Sequence, residues 1–209
     1  MTITNSAHKG RGFLGRLRVI DQLASSYRGF SLSVGSKSTR LADVNIDINR
    51  KVSPDIVATV FYLPLKSELF DTILFTDVVQ YLPINTETRA LVELKRSLKK
   101  TGKIILSAPN AIALFTLLDP DQWLLGNRPF TSDRLSAIIR DAGLRVEYSV
   151  AAGGIWEAIG LLVHYAIGYP LGRILRTEIP YPKRLALMSD TQYGLASRKG
   201  YTVFIVCSK

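Results

Sequence analysis

Residues 70–109 most constrain what this chain can fold into. FDTILFTDV (70–78) is a nearly continuous apolar run, of the kind shown by parallel strands buried on both faces. KIILSAP (103–109) is a second such run, closed by Pro109. Between them, residues 86–100 space Leu91, Val92, Leu94 and Leu98 at helical intervals, with Glu87 near the start and Lys95, Arg96, Lys99 and Lys100 near the end. That charge order complements a helix dipole, and Gly102 is expected to cap the helix. Two buried strands joined by a helix must run parallel, so the chain is α/β.

The rest of the chain extends this alternation. SLSVG (31–35), ADVNIDIN (42–49) and DIVATV (55–60) read as the first three strands, the second alternating at Val44, Ile46 and Ile48. Thr131 and Ser132 offer N-caps for a helix running to about Ala142 and stopped by Gly143. LRVEYSV (144–150) and YTVFIVCS (201–208) read as the sixth and seventh strands. An amphipathic helix is expected within residues 1–30, where Leu17, Ile20 and Leu23 face one way and Arg16, Arg18 and Arg28 make the remainder basic. All 209 residues are assigned to one domain, with 151–200 as an elaboration between the last two strands.

Taken in order, VNIDIN, PDIVATVFYLPLKSELFDTILFTDVVQYLP, LVELKRSLKKTGKIILSAPN and PFTSDRLSAIIRDAGLRVEYSVAAGG form a series. The series resembles the class I S-adenosylmethionine-dependent methyltransferases, and the type 11 methyltransferases in particular. It has an acid ending strand two, a Leu-Pro-aliphatic turn, Phe-Asp opening strand four and a Lys-x-Gly turn before strand five. The resemblance implies a Rossmann-like, doubly wound, mostly parallel seven-stranded sheet with an antiparallel last strand. It also implies S-adenosylmethionine as cofactor. The residues it places at the cofactor are Gly35, Ser36, Lys37, Asp47, Ile48, Thr59, Val60 and Asp77. Asp47 has two readings: acceptor for the ribose hydroxyls, or a turn-forming aspartate ahead of Asn49.

The cofactor loop departs from the family pattern. Where the family has acid-x-Gly-x-Gly-x-Gly, this chain has Ser33-Val34-Gly35-Ser36-Lys37-Ser38-Thr39 and keeps only the first glycine. Lys37 puts a cation where the sulfonium should come near. At about 6 Å and an effective dielectric of about 20 the repulsion is roughly 3 kcal/mol. Thr59 replaces the acid expected after strand three, and Gln80-Tyr81 replaces a Glu-His pair. The link 35–43 is short for a crossover between parallel strands. Cofactor binding that is weak or lost is the expectation.

GGIWEAIGLLVHYAIGYPLGRIL in the 151–200 segment is apolar almost all round a helix, and Arg173, Arg176, Lys183 and Arg184 follow. Contact of 153–185 with an anionic membrane surface, burial under the sheet and a homodimer interface are the readings open here. The net charge of +10 suits anionic partners, although no zinc, helix-turn-helix or basic–aromatic pattern supports nucleic acid. Cys207 stands alone and His8 lies far from His164, so neither a disulfide nor a metal site is expected. With a polar start at Met1–Gly12, a cytoplasmic location peripheral to the membrane is the expectation. No catalytic residue is assigned; Tyr81, Asn110 and Asp77 are expected at strand ends facing the pocket, and His164 has two readings, a general base or a structural residue of an apolar helix. The activity implied is methyl transfer to an unidentified acceptor, lipid-linked or otherwise apolar. The alternatives are a non-catalytic binding or assembly protein of the same fold and a basic nucleic-acid-binding protein.

Overall fold

The computed structural model describes residues 14–27, 29–35, 40–113, 126–177, 182–194 and 196–209, together with Thr116, Pro120, Gln122 and Ile179. Seven strands form one sheet: β1 (Ser31–Val34), β2 (Val44–Asp47), β3 (Ile56–Val57), β4 (Phe70–Thr76), β5 (Leu98–Pro109), β6 (Arg145–Ala152) and β7 (Thr202–Ser208). Their order is β3-β2-β1-β4-β5-β7-β6. β1 to β5 pair in parallel, and β7 runs antiparallel between β5 and β6. The short link 35–43 does not prevent β1 and β2 from pairing in parallel.

Alternation along the central strands builds two apolar layers. Ile73, Phe75, Ile104, Leu106, Val203 and Ile205 face α2 (Glu87–Ser97) and α3 (Ser132–Asp141) through Leu91, Leu94, Leu135 and Ile139. Leu74, Ile105, Phe204 and Val206 face the other way, toward Ile20 of α1 (Leu14–Ser25) and Tyr193 of α6 (Lys183–Tyr193). The Thr131 hydroxyl accepts the Arg134 N–H and caps α3, and Gly143 follows with φ +72°.

Gly102 does not cap α2. The helix stops at Ser97, because Leu98 turns extended and is buried against the sheet as the first residue of β5. Gly102 lies inside that strand, where a Cβ would press on the Leu98 side chain and the Asp71 carbonyl. The second strand is also shorter than its alternation suggests. Ile48 lies beyond it and is 74% exposed, while Asn45 and Asp47 are buried.

The Leu63-Pro64-Leu65 turn is held from α2. Glu93 accepts the Leu63 N–H at 2.9 Å, and Arg96 donates to the carbonyls of Leu63 and Leu65 at 3.1 and 2.8 Å. Between β6 and β7 a continuous helical segment comprises α4 (Ile155–Val163), a π-helical turn (His164–Gly168) and α5 (Tyr169–Leu175), with α6 after it.

Candidate functional site at the carboxyl edge of the sheet

Ligands of open α/β sheets bind beyond the carboxyl ends of the strands, where the strand order reverses. Here that point lies between β1 and β4. β1 ends into Gly35, which has φ +73° and donates its N–H to the Ile46 carbonyl at 2.7 Å. A Cβ at Gly35 would drive into a Val78 methyl, so only glycine lets the chain turn this close to the tip of β4. Ser36 and Lys37 lie outside the described residues.

Asp47 ends β2, buried at 7% exposure. Its Oδ1 accepts the Asn49 N–H at 2.8 Å and its carbonyl accepts the Ala58 N–H at 3.2 Å. It therefore shapes its own turn and ties β2 to the segment after β3. Ile48 beside it and Val57 on β3 present apolar surface to solvent. Thr59 is half-buried, and Val60 is packed in the core.

Beyond β4 the site becomes ionic. Asp77 takes a left-handed conformation, φ +56°, which aspartate tolerates better than most residues. Its N–H donates to the Ser107 carbonyl at 3.0 Å, and its Oδ1 accepts the Ser107 hydroxyl at 3.0 Å. Its Oδ2 pairs with the Arg16 guanidinium at 2.6 Å. Arg16 reaches from α1 and also pairs with Glu157 of α4. The other Glu157 oxygen accepts the Tyr193 hydroxyl, which lies 2.9 Å from Thr202 Oγ1. One polar network thus joins α1, α4 and α6 to β5, to β7 and to the residue that follows β4.

Burial dominates the ionisation of this network. It would lower the Arg16 pKa, but Asp77 and then Glu157 outweigh it and hold the guanidinium well above its ordinary value. Burial raises the Glu157 carboxyl above the usual carboxylate range, with Arg16 offsetting part of the effect. Burial and the Glu157 charge together push the Tyr193 phenol well up. Arg16 is therefore a fixed cation and Tyr193 stays protonated. The Asp77 side chain, 27% exposed, is the most exposed of the ionic members.

A cavity of about 440 Å³ opens at the carboxyl ends of β5 and β6. Its lining is mixed, with Ser132, Asp133 and Arg198 beside Ile112, Val150 and Val203. Asn110 is structural here: its amide donates to the Arg198 and Gly200 carbonyls and its oxygen accepts the Ile112 N–H. Tyr81 sits in a short 3₁₀ turn after β4, and His164 lies edge-on to Tyr165 in the π-helical turn. The structure does not bring His164 into the ionic network.

The sequence reading missed Arg16, Glu157 and Tyr193 as site residues. Glu157 carried a usable signal, since one carboxylate among IWEAIGLLV must find a buried partner or stay in water. Arg16 gave none, because it lies among the other arginines of α1.

The residues present fit S-adenosylmethionine. Gly35 forms a cradle that a Cβ would fill, Asp47 is a buried acid beside open apolar surface, and Asp77 and Arg16 set opposite charges side by side.

Comparison with known proteins gives a consistent picture. The family model described as "Methyltransferase domain" matches residues 20–106. Among solved structures, an S-adenosylmethionine-dependent methyltransferase from Thermotoga maritima is 21% identical, with 94% of this chain and 89% of that one covered and a TM-score of 0.62. One from Archaeoglobus fulgidus is 14% identical, with 96% and 95% covered and a TM-score of 0.59. The Burkholderia thailandensis 1,6-didemethyltoxoflavin-N1-methyltransferase, solved with S-adenosylhomocysteine, is 12% identical, with 91% and 75% covered and a TM-score of 0.53. Among curated protein sequences none matches. By its strand order and antiparallel β7, with the domain match over 20–106, the chain has the fold of the class I S-adenosylmethionine-dependent methyltransferases.

Proposed function

We propose that the protein transfers a methyl group from S-adenosylmethionine to an amphiphilic, lipid-linked acceptor. The observation that carries the reading is the Arg16–Asp77 pair at the tip of β4, beside the Gly35 turn. Asp77 would hold the α-ammonium of the cofactor, and Arg16, paired with it, would keep that carboxylate ionised and in place. Asp47 would accept the ribose hydroxyls, and Ile48 would lie against the adenine. Bound there, the cofactor supplies an activated methyl group, which an acceptor lone pair takes as the carbon–sulfur bond breaks.

The chain's own contribution to such a step is alignment and exclusion of water. The mixed cavity at β5 and β6 suits the acceptor's reacting head, and the exposed apolar side chains of α5 suit its tail. A second reading, in which the fold is kept for binding without catalysis, is favoured by one feature. Of the family's glycine-rich loop only Gly35 is left.

Methyl-labelled S-adenosylmethionine, incubated with the protein and a total lipid extract, tests the proposal. Label in the organic phase supports it. Transfer only to water-soluble acceptors overturns the lipid assignment. No transfer to either class, despite cofactor binding, favours the non-catalytic reading.

A further inference from the structure

The segment Ile155–Leu175 is, by length and composition, apolar enough to cross a membrane, and only 24% of its most apolar window is buried. Its two halves differ. In α4, Ala158 and Leu161 pack on Tyr201, and Glu157 is locked to Arg16 and Tyr193. From the π-helical turn onward, Ile167, Leu171, Ile174 and Leu175 are 60%, 40%, 76% and 56% exposed. Their spacing sets them on one stripe of a helix. Such a run of large apolar side chains in water marks a contact surface.

The charges around it are of one sign. Between His164 and Asp190 the sequence holds Arg173, Arg176, Lys183 and Arg184 against a single acid, Glu178. All four cations are exposed. Lys183 and Arg184 open α6, at the positive end of its dipole, with no acid in that turn. A nearby anionic surface relieves this unfavourable arrangement. A neutral protein groove would answer the apolar stripe alone. An anionic bilayer answers both the stripe and its cationic border.

We infer that α5 and the start of α6 dock in plane on an anionic lipid surface, with α4 remaining part of the folded domain. The segment does not span. Crossing would pull Glu157 out of its buried network and carry Arg173 into hydrocarbon. This inference rests on the surface alone and does not need the methyl-transfer reading.

The full chain, sedimented with phosphatidylcholine vesicles and with vesicles containing about one-third phosphatidylglycerol, provides the test. Binding to the anionic vesicles that high salt abolishes is expected. Each cation replaced, as in Arg173→Gln or Arg184→Gln, should lower the partition coefficient about fivefold. Ile174→Ser removes a side chain that is 76% exposed, so it should weaken binding without moving the melting temperature. Equal binding to neutral and anionic vesicles would overturn the charge assignment. No binding to either overturns the inference, and a stable dimer in solution would then assign the stripe to a subunit interface.

Discussion

Arg16 Nη1 and Asp77 Oδ2 lie 2.6 Å apart, joining an N-terminal helix to the tip of the central strand. Arg16 is also the buried partner of Glu157, whose side chain is fully enclosed. One guanidinium therefore neutralises two carboxylates from separate parts of the chain, and α1 is tied to the site by charge as well as by the packing of Ile20.

Removing that guanidinium should be costly. Arg16→Met leaves Glu157 enclosed without its cation, and breaking a buried pair from one side costs about 3–5 kcal/mol. Urea unfolding of the variant measures this. Adding Glu157→Gln to Arg16→Met should recover a substantial part of the loss. A double variant as unstable as the sum of the two single variants would show that the residues do not act as a pair.

Glu157 should also give stability a distinctive pH dependence. Its folded pKa is raised, so its favourable contribution is full below the unfolded value, about 4.3, and is lost as pH rises through the folded value. Asp71, held low by Lys99, and Glu93, held low by Arg96, have the opposite sign. Their contribution is present above the ordinary carboxylate range and is lost as pH falls through their lowered values. The melting temperature of Glu157→Gln relative to the wild type should therefore improve steadily as pH rises from about 4. A flat or falling difference would contradict the burial assigned to Glu157.

Gly35→Ala tests the turn at the end of β1. The substitution combines a positive φ with a collision against Val78 and should cost about 1–3 kcal/mol. Val78→Ala in the same chain relieves the collision but leaves the backbone strain, so partial recovery is expected. Full recovery would show that the left-handed conformation costs nothing here.

The sheet was legible because its central strands are buried on both faces and need no partner to declare themselves. β4, β5 and β7 lie close to where FDTILFTDV, KIILSAP and YTVFIVCS place them. Gly102 was misread because a glycine after a helical pattern means the same whether it caps the helix or spares a clash within a strand. Its role depends on Leu98 and Asp71, which only the folded sheet brings to it. The alternation Val44, Ile46, Ile48 overran β2 for a similar reason: sequence period does not show where pairing stops. Gly35, Asp47 and Asp77, which the resemblance singles out, do lie at the ends of β1, β2 and β4. The Arg16–Glu157–Tyr193 network was not legible, since its members are 141 and 36 residues apart and meet only through packing.

The central claim is that this carboxyl edge binds the cofactor, and calorimetric titration with S-adenosylhomocysteine tests it most directly. The wild-type protein should give saturable one-site heat. Asp47→Ala should weaken it about tenfold or more, since a hydrogen bond to a charged group is worth roughly 1.5–3 kcal/mol. Asp77→Asn should do the same by removing the charge set against the α-ammonium. No saturable heat from the folded wild-type protein at about millimolar ligand, or equal affinity in all three proteins, would contradict the account.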